Sequence, residues 1–353
     1  MTCFMTNKLF SRRNTLLKSV LIKYVHGFAT QTFKKRHCFK ILFPWKSEEE
    51  FGNSLISSIV YKKDGLIALN KPFGVKIHSH DKPGARSKPG QRKIVPTIAE
   101  TDYTIEDALP ILKSYLKAPG LSILKSAEKY TSGIVLLGEN EQVSLCLKKS
   151  IEKAKQQKTP HLIHWMLTHG VPVIKDRKER VAIKLLSEDA DQPKQPIIVF
   201  QFSRRNVKSH ILHPVNVEYK VLAENKTVSS SLIEVASSSV VYHFVRVYAS
   251  TRIVPILGDI LYGSRMNTVL GMPVRLHIQH AQAQDMQPLP KKMSEALDLP
   301  KGLHGHTMMP TMLHFRSILL PTFAGKEDVI ITAPPPIHFQ WTAEQLNLLN
   351  NCK

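Results

Sequence analysis

Three stretches in the second half of the chain, Val217–Leu222, Ser231–Val235 and Val240–Tyr248, carry apolar side chains at alternate positions. Alternation with period two gives a strand one core face and one polar face, which suits antiparallel pairing. Ser58–Leu69 reads as two further strands around a Lys-Asp-Gly turn, and Asn70–Gly74 ends them in a tight turn. Gly133–Gly138 is apolar enough for a buried strand. His161–Leu167, Leu313–Leu320 and Val329–Thr332 complete the set. Helical spacing is confined to Thr104–Lys117, Glu141–Gln157 and a short piece inside the Pro- and Lys-rich Met286–Gly302. The charge run Asp176–Arg180 suits a solvated hairpin tip, and Ser187–Gln195 a polar loop. Strands outnumber helices and hairpins dominate. The expected class is α+β: a mixed, mostly antiparallel central sheet with flanking helices, not a doubly wound parallel fold.

The chain has 353 residues, 42% of them hydrophobic, which excludes global disorder. No run of eighteen apolar residues exists, so no membrane-spanning helix is expected. Four scattered cysteines, none in a C-x-x-C pair, exclude a disulfide scaffold and a cysteine-built zinc site. Lys and Arg number 49 against 28 Asp and Glu, a net charge of +21. That surplus points to a polyanionic partner, nucleic acid before an acidic membrane surface.

Met1–Ser47 holds ten Lys or Arg and no acid; Glu48 is the first. Within it Leu16, Leu17, Val20, Leu21 and Tyr24 recur at helical spacing. An acid-free amphipathic start suits a disordered mitochondrial targeting peptide over residues 1–47, with delivery to the matrix, better than a basic arm that grips nucleic acid. The folded domain is expected over residues 55–342, followed by a tail at 343–353. Without the first 47 residues, 39 basic and 28 acidic residues remain, so the domain itself is basic.

Several motifs occur in order along this domain. Leu69-Asn70-Lys71-Pro72-Phe73-Gly74 has the form of an apolar strand running into N-K-P-x-G. Thr131-Ser132-Gly133 precedes Ile-Val-Leu-Leu, and His243-Phe244-Val245-Arg246-Val247 follows much later. Nine residues after Arg246 comes Pro255-Ile-Leu-Gly258-Asp259-Ile-Leu-Tyr262-Gly263, and Met312-Leu313-His314 closes the series. Together these resemble the RluA-type RNA pseudouridine synthases over roughly Ile59–Phe339. The resemblance implies the pseudouridine synthase fold with a catalytic cleft, RNA as partner, and no metal or organic cofactor. It also implies a carboxylate beside C1′ of a flipped-out uridine, an Arg that holds it ionised, and a Tyr that stacks on the base.

By that register Glu128 stands where the family has Asp, in Lys125-Ser126-Ala127-Glu128. Arg246 stands at the arginine, with Glu128 and Asp259 both open as its partner. Counting back from Gly170 puts His164 at the tyrosine position. The catalytic candidates are therefore Glu128, Arg246 and His164. Lys71, Lys129 and His243 are candidate RNA contacts, as are Arg86, Lys88, Arg92 and Lys93 in the Pro- and Gly-punctuated loop His78–Thr97. Asn70, Gly74, Thr131, Ser132, Gly133, Gly258, Asp259 and Tyr262 are candidate structural residues. His161 and His164 fall on opposite sides of a strand, so with His169 they do not converge on a metal. His277, His280, His304 and His306 suit a surface loop. Two classes stay open: a mitochondrial RNA pseudouridine synthase, on mRNA or rRNA, and a non-catalytic RNA-binding protein for RNA stability or ribosome assembly. A structural protein of the mitochondrial ribosome is the third. Other mitochondrial RNA-processing proteins are possible partners.

Overall fold

A computed structural model describes residues 37–78, 101–186, 194–209, 211–269, 272–275, 288–300, 304–325 and 327–349. Helix α1 (Glu48–Ser57) starts at Ser47, whose hydroxyl accepts the Glu50 N–H, and three glutamates in its first turn complement its dipole. Strands β1 (Ile59–Lys63) and β2 (Leu66–Lys71) reverse over Asp64 and Gly65, both at positive φ. Helix α2 (Leu109–Leu116), β3 (Ser122–Ser126), β4 (Ser132–Gly138), α3 (Glu141–Gln156) and β5 (Leu162–His169) follow. Next come β6 (Asp176–Leu186), β7 (Gln195–Val199), the short helix α4 (Arg204–Lys208), β8 (His213–Asn225), β9 (Ser230–Ser237) and helix α5 (Phe244–Arg252). The chain ends through β10 (Met266–Val269), β11 (Met272–Arg275), α6 (Lys291–Ala296), α7 (His304–Thr307), β12 (Leu313–Leu320), β13 (Val329–Thr332) and α8 (Ile337–Gln345).

Eleven strands form one sheet in the order β1-β2-β4-β12-β5-β9-β8-β6-β7, with β13 beside β12 and β3 beside β4. Among the described strands only the β4–β12 pair is parallel; β10 and β11 pair apart from the sheet. Strands β2 and β4 are buried on both faces. Leu66, Ala68, Ile134 and Leu136 pack beneath α3, and Ile67, Leu69, Val135 and Leu137 pack beneath α1 and α2. That double burial is why both read as nearly continuous apolar runs. One edge of β4 is shared: Ser132 and Gly133 pair with His314 and Phe315 of β12, and Val135–Gly138 pair with β3. The β3–β4 connection therefore leaves the sheet at the point where it divides, and this connection carries Glu128. Gly133 has φ +115°, and a Cβ there would meet the Phe315 carbonyl oxygen at 2.2 Å. Only glycine lets the two strands close.

Several expectations are corrected. Val240–Tyr248 is not a strand: Val241–His243 makes a tight turn and Phe244 opens α5. Residues Phe244–Ser250 are all buried, so their apolar pattern has no polar face to reveal a helical period. Asp176–Arg180 is not a hairpin tip but the first half of β6, paired with Asn216–Lys220 of β8. The Thr104–Lys117 helix begins at Leu109, because the Thr104 hydroxyl and N–H bind Asp107 and Pro110 favours a helix start. His306 is buried, not on a surface loop. Packing begins before residue 55 and inside the stretch expected to be disordered: Phe39 is buried, stacks edge-on with Trp341, and His37 bonds the Leu297 carbonyl. It also continues past 342, with Leu346 and Leu348 fully buried. The basic loop with Arg86, Lys88, Arg92 and Lys93 lies outside the described residues, as do most of Ser187–Gln195, His277 and His280. No helix of the described residues is long and apolar enough to cross a membrane.

Candidate active site

Helix α5 is entered through two left-handed residues, Tyr242 (φ 53°) and His243 (φ 58°). That conformation is costly for side chains with a Cβ, and here it sets the first turn of the helix beside the β3–β4 connection. Arg246, in that turn, is 2% exposed. Its Nε donates to Asp259 Oδ2 at 3.0 Å and its Nη2 to Oδ1 at 2.6 Å. The remaining Nη1 donates to Glu128 Oε2 at 3.3 Å. One guanidinium therefore joins two carboxylates from distant parts of the chain.

The two carboxylates differ. Asp259 is 2% exposed, and its Oδ1 also accepts the backbone N–H groups of Leu261 and Tyr262. Gly258 before it has φ +77°, and a Cβ there would lie 2.3 Å from the Pro310 carbonyl oxygen. Asp259 is thus locked as the permanent partner of Arg246. The Glu128 side chain is 25% exposed. Its Oε2 is shared with Nδ1 of His243, and its Oε1 accepts the Thr131 hydroxyl at 3.3 Å. Burial alone raises its pKa, but the Arg246 charge and the His243 hydrogen bond outweigh it and hold the carboxyl at about 2. Burial also opposes the charge on Arg246, yet Asp259 and then Glu128 keep it firmly protonated. An ionised, reachable carboxylate thus stands next to a fixed cation.

Tyr262 covers one side of this pair. Its ring centroid is 5.0 Å from the Arg246 guanidinium and 4.7 Å from that of Arg265, and burial lifts its phenol to about 12. Tyr130, half-buried on the Glu128 loop, lies on another side. Its ring is 4.9 Å from Lys129 Nζ and 5.9 Å from the Arg246 guanidinium. The motif reading missed Tyr130 because it falls in the unspecified gap before Thr131-Ser132-Gly133.

Other candidates are redistributed. Lys71 is fully buried and is not a surface RNA contact: its Nζ donates to the carbonyls of Pro72, Val75 and Lys129. Burial pushes its ammonium down to about 7, with Glu128 opposing. Lys71 ties the Glu128 loop to the N-K-P-x-G turn, and the Gly74 N–H reaches the same Lys129 carbonyl at 2.9 Å. Asn70 Nδ2 donates to the Pro334 carbonyl, and Ser132 pairs with His314 Nδ1 at 3.0 Å. His164 is 4% exposed and stacks on Phe315 with centroids 4.7 Å apart. Burial holds its imidazole neutral, down to about 3, although Glu128 pulls the other way. It presents no open face to a base. His243 contacts Glu128, and Lys129 lies over the Tyr130 ring.

No family model matches the chain. It is 26% identical to the mitochondrial mRNA pseudouridine synthase RPUSD3 of Homo sapiens, over 86% of this chain and 79% of that one. It is 24% identical to the mitochondrial pseudouridylate synthase RPUSD4 of Danio rerio, over 82% and 73%. The solved structure of human RNA pseudouridylate synthase domain containing 4 superposes with a TM-score of 0.57 at 20% identity, covering 85% of this chain and 97% of that one. The chain is similar in sequence to proteins named mitochondrial pseudouridine synthases and has the pseudouridine synthase fold. The motif resemblance and the α+β expectation both hold.

Proposed function

We propose that this chain is an RNA pseudouridine synthase of the mitochondrial matrix that isomerises uridine in mitochondrial mRNA or rRNA, with Glu128 as the catalytic carboxylate. The observation that carries the reading is the Glu128–Arg246 contact at 3.3 Å, with Asp259 anchoring the arginine from behind. The names of the relatives and the acid-free start of the chain support the mitochondrial part.

The reaction breaks the N1–C1′ bond of uridine, turns the base and forms C5–C1′. The proton leaves C5 and N1 gains one, so no atom is gained or lost. Charge develops on the sugar as N1 departs. Glu128, ionised at neutral pH, meets that charge by electrostatic stabilisation or by attack at C1′. Extracting the base costs a few kcal/mol of stacking, which an aromatic face and cations offset. Tyr130 supplies the face in place of the buried His164, and Lys129 supplies a cation for phosphate. A non-catalytic RNA-binding role in RNA stability or ribosome assembly is favoured by one observation, the burial of His164 at the tyrosine position.

Pseudouridine mapping of mitochondrial RNA in cells lacking the protein, rescued with wild type or Glu128→Gln, separates the two. Sites that return with wild type and stay unmodified with Glu128→Gln establish the synthase. Equal rescue by both variants, or no missing sites at all, leaves the binding role.

A further inference from the structure

The run of chain around α4 is basic and takes no part in the carboxylate site. From Gln192 to Val217 there is no Asp or Glu. Arg204, Arg205 and Lys208 on α4 are exposed, and no ion pair engages them among the described residues. Arg204 opens the helix, and Arg205 and Lys208 lie in its last turn.

Strand β7, which leads to α4, is the edge strand of the sheet beyond β6. Its start is tied to the candidate active site: Arg265, beside Tyr262, donates to the Pro196 carbonyl at 2.6 Å and to Gln195 Oε1 at 2.8 Å. Its far end meets the other end of α5, where the Arg252 guanidinium lies 4.8 Å from the Phe200 ring centroid. Arg180 likewise lies 5.5 Å from the Phe202 ring. Strand and helix thus run alongside each other from the cleft to the basic tract, over roughly 16 Å at about 3.3 Å per strand residue. Along the way they offer stacked Arg–aromatic pairs, a surface on which unpaired bases stack, and they end in free cations that suit phosphates.

We infer that β7 and α4 form a track for the RNA strand flanking the target uridine, with Arg204, Arg205 and Lys208 holding its phosphates. This rests on the synthase reading and adds a place for the bound strand. The test compares wild type with Arg204→Ala/Arg205→Ala/Lys208→Ala, and with a control that removes three exposed lysines from α3, Lys148→Ala/Lys149→Ala/Lys155→Ala. Binding of single-stranded, uridine-containing RNAs of about six and about thirty nucleotides is titrated against salt by fluorescence anisotropy. Each phosphate that a cation neutralises on a single strand adds about 0.7 to the slope of log affinity against log salt. Removing the three cations therefore makes that slope shallower by about 2 for the longer RNA. Its affinity drops roughly tenfold or more, and the loss grows with RNA length. An unchanged slope overturns the track and leaves the tract to an acidic protein surface. An equal change in the α3 control overturns it as well, in favour of a general field. If wild type binds neither RNA, the synthase reading falls and the track falls with it. Pseudouridine formation by wild type beside an unchanged slope removes the track alone.

Discussion

Glu128 gives stability a dependence on pH whose sign and size follow from the site. Its carboxyl stands at about 2 in the folded chain against an ordinary 4.5, because Arg246 and His243 overcome the effect of burial. A carboxyl with a depressed folded pKa stabilises the native state fully above its unfolded value. That contribution is lost as pH falls from about 4.5 to about 2. At roughly 1.4 kcal/mol per tenfold, the depression is worth about 3 kcal/mol, and the 25% exposure of the side chain trims this to about 2–3 kcal/mol. Glu128→Gln keeps the shape and an acceptor for Nη1 but has no charge to lose. Urea unfolding of both proteins, followed by circular dichroism from pH 7 down to the acid limit, reads the difference directly. Wild type is expected to be more stable at neutral pH, and the two curves to converge through the acid range. Parallel curves, or a gap that widens in acid, would falsify the claim that Arg246 holds Glu128 ionised.

Arg246→Ala leaves two carboxylates facing each other, one of them buried; it is expected to cost about 3–5 kcal/mol, seen as a melting point lowered by about ten degrees. A loss below about 1 kcal/mol means that the cluster is not what fastens α5 to the Gly258–Tyr262 turn. Tyr130→Phe is expected to retain most pseudouridine formation on a synthetic uridine-containing RNA, and Tyr130→Ala to lose about tenfold or more in affinity, on the scale of one base–aromatic stack. Equal activity of the two variants removes Tyr130 from the base pocket. Gly133→Ala puts a Cβ 2.2 Å from the Phe315 carbonyl oxygen at a φ that strains any side chain. The expected result is loss of several kcal/mol, with a sharp drop in soluble yield. Wild-type stability would mean that β4 and β12 do not close there.

Much of the sheet is legible in the sequence because local chemistry sets it. Asp64-Gly65 turns β1 into β2, and β12 and β13 run over the residues that their alternation marks. The Glu128–Arg246 pairing is legible through the motifs, since each residue sits at a fixed distance from recognisable glycines. Helix α5 is not. Its nine residues are nearly all buried, so periods of 2 and 3.6 both fit, and its start depends on Tyr242 and His243 in a conformation that neither residue type announces. Lys71 misleads for a different reason. A lysine beside a Pro-Gly turn reads as solvated, but three carbonyls bury it, one of them 58 residues away. That contact exists only after the sheet has formed. The same holds for Tyr130, whose importance comes from where Arg246 and Lys129 end up around it.

The length of the Glu128 side chain bears directly on the proposed site. Asp259 takes Nε and Nη2 of Arg246, so the arginine stays neutralised whatever Glu128 does. Glu128 holds Nη1 alone, at 3.3 Å. A carboxylate that must turn to C1′ gives up its contacts with Nη1, with Nδ1 of His243 and with the Thr131 hydroxyl, but no buried cation is stranded. Shortening the side chain by a methylene draws the carboxylate back by over an ångström. From 3.3 Å that takes it out of hydrogen-bond range of Nη1, because Lys71 and Gly74 pin the loop at the Lys129 carbonyl. Glu128→Asp is thus expected to lower turnover by about a hundredfold, the order that an ångström of misplacement costs, while RNA affinity stays within about threefold. Single-turnover pseudouridine formation beside anisotropy titrations measures both. If Glu128→Asp is as fast as wild type or faster, the loop adapts to the shorter acid, and the extra methylene is not what delivers the carboxylate to Arg246.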